Sequence, residues 1–421
     1  MLSRLKKTYA EFPPLFWVIV LTLFIDSLGS TLLFPFFALY ITQKFGVGMT
    51  EAGVLLGMSS LFGLIGSVMG GALTDRFGRR QLILFGLVSS ALSSLLFGLA
   101  WDVRMLYFLV VIVGLLSRIA NPANDAMMAD ILPEDKRQEA FGITRVAYNY
   151  AWIVGTALGG LIAARSFLAL FVADAVLSLI VAIILYRVLP ETKPTSPLAA
   201  KTNESFLTTI SGYRLVLRDL AYMGFSFAGM IVLLVYQQQY GALAVYLRDV
   251  HQIGSKSYGV MLSVTGVEVV FFQIWISRTI RKYPPFLMMV LGAVFFMVGF
   301  TMIGFVQGFG FFLLAVIVVT VGEMVMFPTN KALAINFSPA EMRGRYMAIY
   351  DLGWTIPATL GPAAAGLILD HYNPSLLWYI GGALCAVAAL SFYAMHLWLG
   401  RQPRFRPAPA EQIEQKVSTT A

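Results

Sequence analysis

Four ionisable residues stand inside long apolar stretches of the 421-residue sequence: Asp26 within Phe24-Ile-Asp-Ser-Leu-Gly29, then Arg118, Glu268 and Glu323. A charge held in hydrocarbon costs from about 3 to more than 10 kcal/mol, so each such residue marks either a task or a fixed structural partner. Carboxylates in that setting suit the uptake and release of protons. Arg118 is the natural counter-charge, or a contact for an anion. Four more charges form an exchanged pattern, Asp125 with Arg145 and Lys331 with Asp351, in which the signs swap between two segments 206 residues apart. They make either one neutralising salt bridge in each segment or an inner gate whose pairs break and re-form. Aromatic and amide residues, Tyr148, Asn149, Trp152, Tyr236, Gln237, Gln238, Gln239, Tyr240, Tyr350 and Trp354, are candidates for the lining of a cavity. Aromatic faces beside carboxylates suit a lipophilic cation, although each ring could equally anchor at a lipid interface.

The elements that carry these residues are membrane spans. Hydrophobic residues make up 58% of the chain and charged residues 12%, with a mean hydropathy of +0.77. Soluble domains carry about 25% charge. An apolar run of roughly 20 residues crosses the hydrocarbon core as a helix, and such runs are expected at 15–41, 51–74, 81–101, 105–129, 139–164 and 166–189. After a polar stretch they resume at 221–247, 257–277, 286–306, 309–335, 344–369 and 375–399. A barrel is excluded because its strands would alternate polar and apolar residues. The expected fold is therefore an all-α membrane protein of twelve transmembrane helices.

Of the 30 Lys and Arg residues, 22 fall in connections on one side and five on the other, which predicts both termini in the cytoplasm of a multi-pass cell (inner) membrane protein. The net charge of +8 is thus a topology signal, not a nucleic-acid footprint. The basic segment before Pro14 precedes a run too long for a signal-peptide core, so it is expected to be retained. The single cysteine, Cys385, lies in an apolar run and indicates no thiol chemistry.

The chain repeats itself. Pro122, Asn124, Ala126, Pro133 and Arg137 return as Pro328, Asn330, Ala332, Pro339 and Arg343, and Gly155 and Gly160 return as Gly361 and Gly366, all at an offset of 206. Two parallel six-helix repeats are a transporter architecture. The expected organisation is a bundle over 1–189, a cytoplasmic linker over 190–220, a second bundle over 221–399 and a tail over 400–421.

The connection Gly71-Ala-Leu-Thr-Asp75-Arg76-Phe-Gly78-Arg79-Arg80 lies between the second and third spans. Gly71 lets another helix approach, Gly78 permits a tight turn, and Asp75 sits at a helix end beside arginines. This stretch resembles the loop motif of the major facilitator superfamily almost letter for letter. The resemblance implies the major facilitator fold of two pseudo-symmetric bundles, and a loop that holds the cytoplasmic side closed with Asp130 as the acidic partner of its arginines. In the second repeat Gln273 and Ser277 stand where Gly71 and Asp75 do. Gly322-Glu323-Met-Val-Met-Phe-Pro328 and the following Pro339-Ala-Glu-Met-Arg-Gly-Arg345 resemble bacterial multidrug:proton antiporters. In that branch an acid after this glycine serves substrate binding or proton coupling, and an acid at the place of Asp26 is common. Gly155-Thr156-Ala-Leu-Gly159-Gly160 is similar to the antiporter motif, with Thr156 replacing its proline.

The expected function is secondary active transport by alternating access, a proton-coupled efflux of small hydrophobic or cationic compounds by a monomer in contact with membrane lipids. The proton gradient serves as the energy source and no cofactor is expected, since no phosphate-binding glycine loop is present. The alternatives are a major facilitator transporter for a specific metabolite (a sugar, amino acid or organic anion) and a lipid translocase. An enzyme is not expected: His251, His371 and His396 are scattered and no nucleophile motif occurs.

Overall fold

Prolines and glycines in this sequence decide where the apolar runs bend and stop. The computed structural model describes residues 11–132, 134–191, 213–339 and 342–405, without the side chains of Asp75, Asp125, Ala129, Glu134, Asp135, Arg137 and Gln138. Most of the expected linker and tail lie outside the described residues. Among the described residues twelve helices are long and apolar enough to cross a membrane: Pro14–Phe45, Met49–Thr74, Arg79–Leu99, Val103–Met128, Glu139–Ala163, Phe167–Val188, Leu220–Tyr240, Ser255–Ile280, Pro285–Ile303, Phe309–Phe337, Arg343–His371 and Leu376–Leu399. They are called the first to twelfth spans below. The architecture is the all-α, twelve-span fold expected from the sequence.

Pro35 tightens the first span into a single turn of 3₁₀ helix over Phe34–Phe36, and Gly46 then ends it at φ 66°. Gly78, at φ 96°, both closes the helix Met49–Phe77 and opens the third span, so one residue makes the turn. A non-glycine residue at that φ would be strained. The seventh span was expected to run to 247. It tightens over Gln237–Tyr240 and breaks at Gly241, and a separate helix follows over Ala242–His251.

The two repeat prolines behave differently. Pro122 cannot donate to Arg118 four residues earlier and its ring crowds that carbonyl, so the fourth span divides into Val103–Ser117 and Asn121–Ile131. Pro328 stays inside the continuous helix Phe309–Phe337. The carbonyl it leaves without a helix partner is that of Met324, which accepts instead from Gln273 Nε2 of the eighth span at 3.2 Å.

The chain forms two compact units, Met1–Ala199 with Leu247–Gly266, and Ala200–Tyr246 with Val267–Ala421. The first and third spans pack on the sixth, and the first also packs on the fifth. In the second unit the seventh and ninth spans pack on the twelfth and the seventh on the eleventh, which repeats that pattern. The first core joins Leu82, Ile83 and Leu87 to Ile119, Met127 and Val181. The second is aromatic, with Phe337 against Phe225 at 5.2 Å and against Phe405 at 4.7 Å.

Candidate functional site

Glu323 lies on the tenth span, five residues before Pro328, and its carboxylate meets the end of the seventh span. The Tyr236 hydroxyl donates to Glu323 Oε2 at 3.0 Å. Tyr236 and Tyr240 hydroxyls stand 2.6 Å apart. A phenol carries one proton, so with Tyr236 donating to the carboxylate, Tyr240 donates to Tyr236. Aromatic rings surround this chain of hydroxyls. The Tyr236 ring lies 4.9 Å from Phe327, 5.9 Å from Phe296 and 6.4 Å from Trp354, and Phe327 lies 5.0 Å from Trp354, mostly edge to face. A carboxylate bonded to a tyrosine of an aromatic cluster is a setting for an organic cation.

Glu268 of the eighth span has one carboxylate oxygen, Oε2, buried without a hydrogen-bond partner among the described residues, and it lies within Coulombic reach of Glu323. Gln238 donates through Nε2 to Leu234 O at 2.7 Å while its Oε1 is buried and unbonded. Gly361 of the eleventh span makes room for this amide, because a Cβ there would stand 2.7 Å from Gln238 Nε2.

Asp26 lines a cavity of about 130 Å³ in the first unit, together with Thr22, Ser30, Asn121 and Asn124. Arg118 sits at the break in the fourth span and packs on Gly63 of the second, so it is not the counter-charge of Asp26; among the described residues it makes no ion pair. Tyr148, Asn149 and Trp152 lie on the fifth span of this unit, with Trp152 against Gly266. The fifth span meets Ser255–Gly266 closely: a Cβ on Gly259 would stand 2.5 Å from Thr156 O, and Thr156 Oγ1 bonds Ser263 Oγ at 3.0 Å. Thr156, which stands where the antiporter motif has proline, is thus used as a hydrogen-bonding group.

In the loop motif Arg79 Nε donates to Asp130 Oδ2 at 3.1 Å, and the Arg79 backbone N–H donates to Glu191 Oε1 at 2.9 Å. The Glu191 carboxylate lies over Gly78, where any Cβ would collide with it. Arg80 donates to Tyr186 O at 2.6 Å with its guanidinium over the Tyr186 ring. The Arg76 guanidinium lies over Phe77, and the Asp75 side chain is outside the described residues. Gly71 corrects an expectation. Nothing among the described residues lies within 4 Å of a Cβ built there. The close approach to the fourth span is made instead by Gly66 and Gly70, against Leu115 O and Ile119 O. In the repeat, Gln273 and Ser277 bond each other at 2.8 Å, a neutral counterpart of the charged loop. Near this loop, Lys136 meets Glu11 at 2.9 Å, and that hydrogen bond holds the ammonium above the usual lysine range.

Of the exchanged charges, Lys331 and Asp351 are not brought together as an ion pair. Lys331, Asp351 and Arg145 are exposed, and no ion pair joins them among the described residues, although the Lys331 charge acts on Asp351. Solvation in place of contact accounts for this, since exposed charges gain little from pairing. The Asp125 side chain lies outside the described residues. Two acids escaped the sequence reading. Asp174 is buried on the sixth span, and the rule that singled out Asp26 applies to it equally. Glu191 follows that span directly, and only the folded loop shows its partner.

The family model of the Major Facilitator Superfamily matches residues 19–286 and 220–421. An uncharacterized MFS-type transporter of Bacillus subtilis, YttB, is 30% identical over 368 residues, covering 85% of this chain and 88% of that protein. A Na(+), Li(+), K(+)/H(+) antiporter of Planococcus maritimus is 25% identical over 87% of this chain and 91% of its own. Multidrug resistance protein 2 of Bacillus subtilis is 25% identical over 87% and 92%. Among solved structures, a POT family transporter in complex with 5-aminolevulinic acid superposes with a TM-score of 0.77 at 14% identity, covering 90% of this chain and 95% of that one, a likeness of fold. The chain belongs to the major facilitator superfamily and is a multi-pass membrane transporter, not an enzyme.

Proposed function

We propose that this transporter works by alternating access and uses the proton gradient to export small hydrophobic or cationic compounds. The observation that carries this reading is the Glu323 carboxylate, bonded to Tyr236, whose ring packs with those of Phe296, Phe327 and Trp354. A lipophilic cation gains the negative charge of the carboxylate and the faces of the rings, whereas a proton on the same carboxylate removes the charge. Proton and cation therefore compete for one group, and that competition is antiport. The relatives named as a multidrug resistance protein and as a cation/proton antiporter support both parts of this reading.

The basic loops face the cytoplasm of the cell membrane, and the bundles 1–189 and 221–399 act as the two moving parts of a monomer. Arg79, Asp130 and Gly78 hold one arrangement of the basic side. Arg118, with no ion pair among the described residues, favours an organic anion as a second reading. Purified protein in liposomes tests the proposal. With a proton gradient imposed, tetraphenylphosphonium should accumulate against its own gradient and a protonophore should abolish this. Flux indifferent to the protonophore contradicts proton coupling, and flux of organic anions alone selects the second reading.

A further inference from the structure

Asp174 lies on the sixth span, buried to 5% exposure, and no cation among the described residues acts on it. Ser94 of the third span donates a hydrogen bond to its Oδ2. Its Oδ1 packs where a Cβ of residue 29 would be, so glycine at that position lets the sixth span close on the first. Asp26 is three residues before Gly29 on the same helix face. The Asp26 charge acts on Asp174, and it is the only charge among the described residues that does. Asp26 is partly buried, its carboxylate accepts no hydrogen bond from a described residue, and it lines the cavity of about 130 Å³. The other polar groups there, Thr22, Ser30, Ser90, Ser117, Asn121 and Asn124, are neutral, and Arg118 packs on Gly63. A cavity of this size with several polar partners holds water.

We propose that Asp26 and Asp174 share one exchangeable proton, reached through the cavity beside Asp26, and that the pair is a second proton site of the transporter in addition to Glu323. Two carboxylates inside one bundle, with no arginine or lysine among the described residues between them, cannot both stay ionised, and one proton between them turns repulsion into a hydrogen bond. The step is a proton transfer alone: water in the cavity delivers the proton to a carboxylate oxygen and later takes it back. The fixed Ser94 bond holds Asp174 in place, and Asp26 is the member that meets solvent. The role in coupling rests on the proton-driven reading above, but the existence of the shared proton does not.

Infrared spectroscopy of the purified protein with carbon-13-labelled aspartate tests the site without any transport. The wild type should show a protonated-carboxyl band at neutral pH that shifts in deuterated buffer within the mixing time. The band should be lost in the double variant Asp26→Asn/Asp174→Asn. No such band in the wild type, or an equal band in the double variant, overturns the proposal. A band that resists deuteration for hours makes the proton a fixed structural one and overturns it too. For coupling, Asp174→Asn should lower gradient-driven flux at least tenfold while cation binding stays within about twofold. Asp26→Asn, which has no side-chain hydrogen bond to lose, should do the same and covers the case in which Asp174→Asn fails to fold. Normal flux in a folded variant removes the pair from coupling. Absence of gradient-driven flux in the wild type would instead sink the export reading, with the infrared result still deciding the proton site.

Discussion

Asp130→Asn keeps the shape of the side chain that accepts from Arg79 and removes its charge. The Nε–Oδ2 distance is 3.1 Å, and the side chains are 11% and 29% exposed. At that separation the Coulomb energy is about 5 kcal/mol for an effective dielectric of 20 and about 1 kcal/mol in water. Removing the two ions from water offsets most of the larger figure, and the open side of Asp130 admits solvent screening. A net coupling of about 1–2 kcal/mol remains, between the range of exposed pairs and that of hydrogen bonds to charged groups. The assay is a double-mutant cycle of Arg79→Ala and Asp130→Asn, read by unfolding in mixed micelles at two salt concentrations. The coupling should fall, without vanishing, as salt rises. Transport should slow in both variants while equilibrium substrate binding changes by less than about twofold, which is under 0.5 kcal/mol. A coupling below about 0.3 kcal/mol, the usual scatter of independent sites, would refute the pairing and the stabilising role drawn from it.

Gly259→Val should destabilise the protein by about 1–3 kcal/mol through overpacking, because its Cβ meets Thr156 O at 2.5 Å and Gly160 Cα at 2.9 Å. Gly71→Ala, with open space at its Cβ, should stay within about 0.5 kcal/mol of wild type, so thermal unfolding of the two variants side by side checks the packing. Trp354→Ala should weaken binding of a lipophilic cation relative to a neutral isostere by about 0.5–2 kcal/mol, or up to roughly 30-fold. Calorimetry with a phosphonium and its uncharged analogue measures this, and equal losses for both ligands would remove any cation–π role from the ring.

The spans were legible because an apolar helix needs no partner to declare itself; eleven of the twelve expected runs differ from the observed helices by only a few residues at either end. The seventh was drawn too long because Gly241 sits inside an apolar stretch, and only its backbone shows the break. The repeat equated Pro122 with Pro328, but the carbonyl four residues back finds its donor differently: Arg118 O accepts from Asn121 N within the break. For Met324 that donor is Gln273, on another span, and no local pattern announces it. The role given to Gly71 belongs to Gly66 and Gly70, since which face of a helix meets a neighbour is fixed by tertiary packing. Glu323 and Asp26 were visible as charges in apolar runs. The hydroxyl chain from Tyr240 through Tyr236 to Glu323 was not, because it joins residues 87 apart. Lys331 and Asp351 show the opposite error: a regular offset of opposite signs suggested contact, and these two exposed side chains form no ion pair.

The central claim is that proton and cation compete for Glu323, and counting protons released on binding tests it most directly. Purified protein in weakly buffered detergent solution is titrated with tetraphenylphosphonium over a pH series while the pH change is recorded. The account predicts release approaching one proton per cation bound by the wild type on the acidic side of the series. It predicts no release by Glu323→Gln, whose cation affinity should fall and lose its pH dependence. Cation binding by the wild type without proton release at any pH, or equal release by the variant, would contradict it.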